Sequence, residues 1–214
     1  MRISRIVSLA GIVFVCCISV WRTSGDEPAK PKTWNFDKDK VGEIAPGFTG
    51  EVGEWKVVAD ETAPGKGQVL AQLAKNEDSV LNLALVKDSS AKQVDVSVKF
   101  KAVAGKEDQG GGVVWRAKDA KNYYLCRYNP LEENLRVYKV VDGKRTVLES
   151  IDIEHKDGWH TLRAQMRNER ITVFYDEEAK TSVLNDTFMD AGMVGLWTKA
   201  DAQTYFDDFA YVPL

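Results

Sequence analysis

The feature that most constrains this chain is a hydrophobic period of two. In VDVSVKF, Val94, Val96, Val98 and Phe100 alternate with Asp95, Ser97 and Lys99, which makes a strand with one face on a core and one face wet. NLRVYKVV (134–141), TLRAQMR (161–167), ITVFYD (171–176) and TYFDDFAYV (204–212) read the same way. Asp142-Gly143 separates two such runs in VVDGKRTV, and that dipeptide favours the positive φ of a two-residue hairpin. Lys156-Asp157-Gly158 and Asn168-Glu169 mark further turns. The segments number about 12 to 14, which predicts an antiparallel sandwich or barrel. Val69–Lys87 also scores as helix, but Asn76-Glu77-Asp78-Ser79 breaks it into two short runs and favours strands.

The beginning of the chain obeys a different rule. Arg2 and Arg5 precede an apolar run from Ile6 to Val20, and Thr23, Ser24 and Gly25 follow. A basic start, a secretory-length apolar stretch and small residues at the exit predict a signal peptide over 1–25, cleaved near Gly25. The run is short for a spanning helix, which needs about 20 apolar residues; an uncleaved anchoring helix is the other reading. Val15 and Phe14 before Cys16 and Cys17 do not suit a lipoprotein. Export to the periplasm or beyond is expected, with no membrane span after processing, a linker over 26–33 and one domain over 34–214.

Removing the leader takes three arginines and no acid, so the formal charge moves from −3 to −6, with 26 bases against 32 acids. That balance leaves no basic footprint for nucleic acid. Cys126 then stands alone, without a partner for a disulfide or a Cys/His set for zinc.

WRAKDAKNYYLCRYNPLEENLRVYKVVDGKR, then GWHTLR, then GLWTKADAQTYFDDFAYV, with WNFDKDKVGEIAPGF and GEWKVV at the start, resemble a group of exported bacterial domains. These are the 3-keto-disaccharide hydrolase-like proteins, also labelled family-sixteen glycoside hydrolase-like or laminin-G-like. The resemblance spans nearly all of 33–214. It implies an all-β, two-sheet antiparallel jelly roll of the concanavalin A-like lectin/glucanase type, without a buried helix. Enzymes, lectins and interaction modules all use that fold, so it implies no single activity.

Family-sixteen glycosidases carry Glu-x-Asp-x-Glu on one strand, which sets their carboxylates on one sheet face about 5 Å apart. Here ESIDIE (149–154) keeps Asp152 and Glu154 but puts Ser150 at the nucleophile position, with Glu149 one residue out of phase. No catalytic residue is assigned. His155 and His160 flank a turn and read as structural.

Alternation gathers a second set. If Trp115, Tyr124, Cys126 and Tyr128 pack inward, then Arg116, Tyr123, Arg127, Asn129, Asn134, Arg136 and Tyr138 share the opposite face. Arginine and asparagine offer fixed donors, and tyrosine a flat ring with a hydroxyl, which complement a saccharide. The resemblance implies that saccharides lie on the concave sheet, so this face is the expected ligand site. The other reading is a wet sheet face whose arginines pair with Asp119, Glu132 and Glu133.

TYFDDFAYV brings one of Asp207 and Asp208 towards a core, whichever face is inward. A buried carboxylate protonates, recruits a cation or is otherwise partnered. The first and last strands of a jelly roll are neighbours, which places Asp37 of WNFDKD nearby. Calcium held by Asp37 with Asp207 or Asp208 is one expectation; ordinary hydrogen bonding of the buried acid is the other. Function therefore divides into saccharide binding without turnover, hydrolysis of 3-keto-glycosides, and protein interaction at the cell surface.

Overall fold

The computed structural model describes residues 29–214. The expected signal peptide and the first residues of the expected linker lie outside that range. Among the described residues there is no helix, hence none able to cross a membrane. Fifteen strands build two antiparallel sheets.

The first sheet holds β1 (Lys32–Trp34), β3 (Trp55–Ala59), β4 (Gln68–Gln72), β6 (Val94–Ala104), β11 (His160–Arg167), β12 (Arg170–Tyr175), β13 (Glu178–Leu184) and β15 (Gln203–Pro213). The second holds β2 (Phe48–Val52), β5 (Leu81–Val86), β7 (Gly111–Asp119), β8 (Asn122–Asn129), β9 (Asn134–Val141), β10 (Lys144–Asp152) and β14 (Met193–Lys199). Their spatial orders are β13-β12-β11-β6-β15-β4-β3, with β1 on β15, and β10-β9-β8-β7-β14-β5-β2. The architecture is the expected two-sheet antiparallel jelly roll.

Each strand of the first sheet lays its apolar alternate residues against the second. Val94, Val96, Val98 and Phe100 are buried, as are Leu162, Ala164 and Met166 of β11. From the second sheet Trp115, Tyr124, Cys126 and Tyr128 enter the same core; the Trp115 indole donates to Met166 Sδ at 3.1 Å. Cys126 is a free, buried thiol. The ambiguous stretch resolves into β4 and β5. The first strand begins at Lys32, inside the expected linker, because Lys32 pairs with Tyr211 of β15.

Among several register shifts, those in β15 and β7 redirect residues singled out from the sequence. In β15 the register against β6 jumps between Asp207 and Ala210, with Asp208 at φ 47°. Phe206, Asp207, Phe209 and Tyr211 are consequently all buried while Asp208 is exposed. The two faces read from TYFDDFAYV therefore exchange roles at the bulge. In β7 the register against β8 jumps between Trp115 and Asp119, with Arg116 at φ 48°.

Candidate functional site

The outer face of the second sheet, away from the shared core, is built by simple pairing. Tyr123 opposes Val140, Leu125 opposes Tyr138, Arg127 opposes Arg136 and Asn129 opposes Asn134. On the other flank Val114 opposes Gly195, and Trp197 lies between Gly112 and Leu83. Leu83, Leu85, Val114, Tyr123, Leu125, Tyr138, Val140 and Trp197 form an apolar cluster separate from the main core. One row across the sheet reads Leu83, Trp197, Gly112, Arg127, Arg136, Ser150. Gly112 leaves a gap in that row between the indole and the guanidinium. No larger residue fits, since a Cβ there would stand 1.8 Å from the Cys126 carbonyl oxygen.

Six of the seven expected ligand-face residues sit together on this face, at one end of it for the most part. Arg127 is 1% exposed and donates to Asn134 Oδ1 at 2.6 Å, Glu132 Oε2 at 2.8 Å and Tyr138 Oη at 3.1 Å. Arg136 holds the same Glu132 oxygen at 2.8 Å and donates to Ser150 Oγ at 3.0 Å. Burial acts to lift the Glu132 carboxyl, but the Arg127 and Arg136 charges, with hydrogen bonds from Arg127 and Asn134, outweigh it and hold Glu132 below the ordinary carboxylate range. Asn129 accepts the Leu131 and Glu132 amides, shaping the β8–β9 turn, and donates to Asp108 Oδ1 at 3.0 Å.

Arg116, the seventh, lies elsewhere. The β7 bulge turns it off the face, and its guanidinium donates to the backbone carbonyls of Lys92 at 2.7 Å, Phe188 at 2.6 Å and Asn168 at 2.8 Å. Those three bonds clamp loops distant in sequence and leave the side chain buried.

The structure adds residues that alternation did not single out. Asp108 arrives from the β6–β7 loop, which Asp201 holds by accepting the Lys106, Glu107 and Asp108 amides. Its carboxylate lies between Asn129 and Lys199, the latter 3.7 Å away. Burial pushes it up to about 6 against the pull of Arg127 and Lys199. Lys199 also pairs with Asp78. Arg145 of β10 opposes Val140 and lies over the Tyr138 and Trp197 rings, 4.9 and 5.4 Å from their centroids. Trp197 had no mark beyond its residue type, and a tryptophan in a β protein is most simply core. Arg145 was legible, because a two-residue Asp142-Gly143 turn fixes which face it takes.

Four buried polar atoms on this one face lack a hydrogen-bond partner: Tyr123 Oη, Arg127 Nε, Arg145 Nη1 and Trp197 Nε1. Burial pushes the Tyr123 hydroxyl up to about 12; the Trp197 indole eases that shift, but the two groups do not form a hydrogen bond.

ESIDIE does not assemble a carboxylate row. The β10 bulge falls between Val147 and Glu149, ahead of the motif, so Glu149 opposes Val137 while Ser150 and Asp152 oppose Arg136 and Asn134. Glu149 and Asp152 thus point to opposite faces. His160 donates from Nε2 to the Lys156 carbonyl at 2.8 Å and pairs through Nδ1 with Asp176 at 2.8 Å, a structural role.

Of the three aspartates expected around a cation, Asp37 lies near enough for its charge to act on Asp207. Asp207 is 1% exposed and accepts the Asp208 amide at 2.7 Å. Burial, then the Asp208 and Asp37 charges, push it up to about 6. Asp37 accepts the Gln68 amide at 3.3 Å and Asn35 Nδ2 at 3.0 Å, against Gly67, where a Cβ would come within 2.1 Å of its carboxylate. Asp208 points away and pairs with Lys99 at 2.8 Å. Among the described residues no three His, Cys, Asp or Glu side chains converge for a metal. The partners shown for the Asp37 and Asp207 carboxylates are N–H groups.

No protein-family model matches the chain, and no curated protein matches it by sequence. Solved structures do match in fold. The carbohydrate-binding module CBM66 from Bacillus subtilis superposes with a TM-score of 0.65 at 18% identity, covering 78% of this chain and 95% of that one. A Bacteroides ovatus mixed linkage glucan GH16 protein in complex with its product gives 0.60 at 11%, covering 85% and 99%. A Bacillus licheniformis beta-glucanase gives 0.54 at 8%, covering 89% and 100%. At these identities the comparison speaks to architecture, and it shows a concanavalin A-like sandwich of the lectin and glucanase type.

Proposed function

We propose that this protein binds a saccharide on the outer face of its second sheet. The observation that carries the reading is the set of four unpartnered polar atoms among the Tyr123, Tyr138 and Trp197 rings. A buried donor without an acceptor costs about 1–3 kcal/mol, so four together mark an unfinished polar network; each is closed to solvent here, and a ligand completes it by moving aside the Arg145 side chain that lies over Tyr138 and Trp197. Sugar rings offer apolar C–H faces to aromatic side chains and hydroxyl oxygens to such donors. The names of the fold neighbours, a carbohydrate-binding module and glucan-acting proteins, support the same reading. A glycan array followed by calorimetry tests it. Tyr123→Phe removes one unpartnered hydroxyl and keeps the ring, and it is expected to weaken a confirmed ligand by about 0.5–1.5 kcal/mol. An array with no saccharide hit overturns the reading.

A second reading, turnover of 3-keto-glycosides, rests on Asp108 and Glu132. Their environments push one carboxyl up and the other down, as an acid and a base require. Hydrolysis of a 3-keto-disaccharide that disappears in Asp108→Asn would support it; no release by the unaltered protein would end it.

Two accompanying proposals complete the picture. Asp37 and Asp207 together hold one structural calcium ion. The protein is exported, and its intact mass after secretion lacks residues 1–25; a mass retaining them overturns this.

A further inference from the structure

Resting on the saccharide reading, the charge arrangement of the same face narrows the ligand. Four cations surround it, Arg127, Arg136, Arg145 and Lys199, against three acids, Asp78, Asp108 and Glu132. Glu132 is held between Arg127 and Arg136 at 2.8 Å from each. Lys199 stands between Asp78 and Asp108. Arg145 alone has no carboxylate at ion-pairing distance among the described residues, although its charge is felt at Asp78, Asp108 and Tyr123.

The hydrogen-bond inventory has the same sign. Trp197 Nε1, Arg127 Nε and Arg145 Nη1 can donate and cannot accept, and only Tyr123 Oη can do either. Most acceptors of the face are engaged: Glu132 Oε2 takes Arg127, Arg136 and Asn134, and Asp108 takes Asn129 and Lys199, which leaves Glu132 Oε1 open. A neutral hydroxyl brings a proton that needs an acceptor, and this surface has few to spare. An oxyanion brings acceptors only. Arg145 lies over Tyr138 and Trp197 without a carboxylate partner among the described residues, and a guanidinium binds a planar carboxylate in two-pronged fashion.

We infer that the ligand is an acidic saccharide, a glycan carrying a uronate carboxylate, and that Arg145 is the residue that selects it. A sulfate ester on a sugar shares the oxyanion chemistry, and the experiment separates the two sources.

Calorimetry of the protein with oligogalacturonate, with the same oligosaccharide after carboxyl reduction, and with a sulfated galactan oligosaccharide supplies three arms. The expected result is at least tenfold tighter binding of oligogalacturonate than of its reduced form, weakening with added salt. Arg145→Gln, a change on the strand at the sheet edge, is expected to bring the acidic and reduced sugars to equal affinity. An Arg145-dependent preference confined to the sulfated arm supports the anion inference and assigns the ester as its source. Equal affinity for the acidic and reduced sugars overturns the inference and leaves saccharide binding standing. A preference that survives Arg145→Gln overturns the role of Arg145. Binding of no saccharide in any arm, with no array hit, overturns both readings together.

Discussion

Arg127 and Glu132 meet at 2.8 Å, with the guanidinium 1% and the carboxylate 42% exposed. The arginine is thus committed to its neighbours before any ligand arrives. Arg127→Ala strands Asn134 Oδ1, the Tyr138 hydroxyl and one side of Glu132. Breaking a fully buried pair costs about 3–5 kcal/mol; because water can reach Glu132, the expected loss is about 2–3 kcal/mol. Urea unfolding of the variant measures it. A change under 1 kcal/mol would mean that Arg127 is held loosely and is available to a ligand.

Tyr123→Phe is the cleaner probe of the face. Removing an unpartnered buried hydroxyl is expected to raise stability by about 1 kcal/mol without ligand, while weakening the saccharide complex. Opposite signs from one substitution, in melting and in calorimetry, are the mark of a site that sacrifices stability for binding. If the variant is less stable than the parent, the hydroxyl has a partner in solution and the four-atom argument loses a member.

Asp108 carries a pH signature. Its carboxyl moves from an ordinary 3.8 up to about 6 in the folded protein, so the folded state binds a proton more tightly than the unfolded one. The associated stability is complete below pH 3.8 and is lost as the pH rises through 6. Relative to Asp108→Asn, the parent should lose about 2–3 kcal/mol between pH 4 and pH 7. Parallel pH profiles for the two proteins would show that Asp108 titrates normally.

Arg116 should matter to folding alone. Arg116→Lys cannot reach the three carbonyls that the guanidinium serves, and a loss of about 3 kcal/mol or more is expected. Saccharide affinity measured on the folded fraction should not move. A selective loss of affinity would return Arg116 to the binding face.

Calcium at Asp37 and Asp207 is checked by thermal melting. Added calcium should raise the transition and excess chelator lower it, with Asp207→Asn insensitive to both. A chelator-indifferent melt would leave Asp207 as a hydrogen-bonded core acid.

The strands were legible because period two persists in VDVSVKF and NLRVYKVV, and the turn chemistry of Asp142-Gly143 fixed one register outright. What escaped were the places where the period slips. Alternation sent Arg116 to the ligand face, and two extra residues in β7 against β8 turned it away. It forced a choice between Asp207 and Asp208, and the β15 bulge buried Phe206 and Phe209 together. Bulges are set by pairing across the sheet, which a single strand does not encode locally. Asp108 was hidden for another reason: it sits in a loop whose position is decided by Asp201, far along the chain.

The pairing of Lys32 with Tyr211 has a practical meaning. Strands β1 and β15 run side by side in the first sheet, whereas Tyr138, Arg145 and Trp197 lie on the far side of the second. A tag, a tether or a neighbouring module joined at either strand hangs behind the aromatic surface rather than across it. A circular permutant that splices those two strands and opens the chain at a remote turn should therefore keep the surface free for presentation on a solid support.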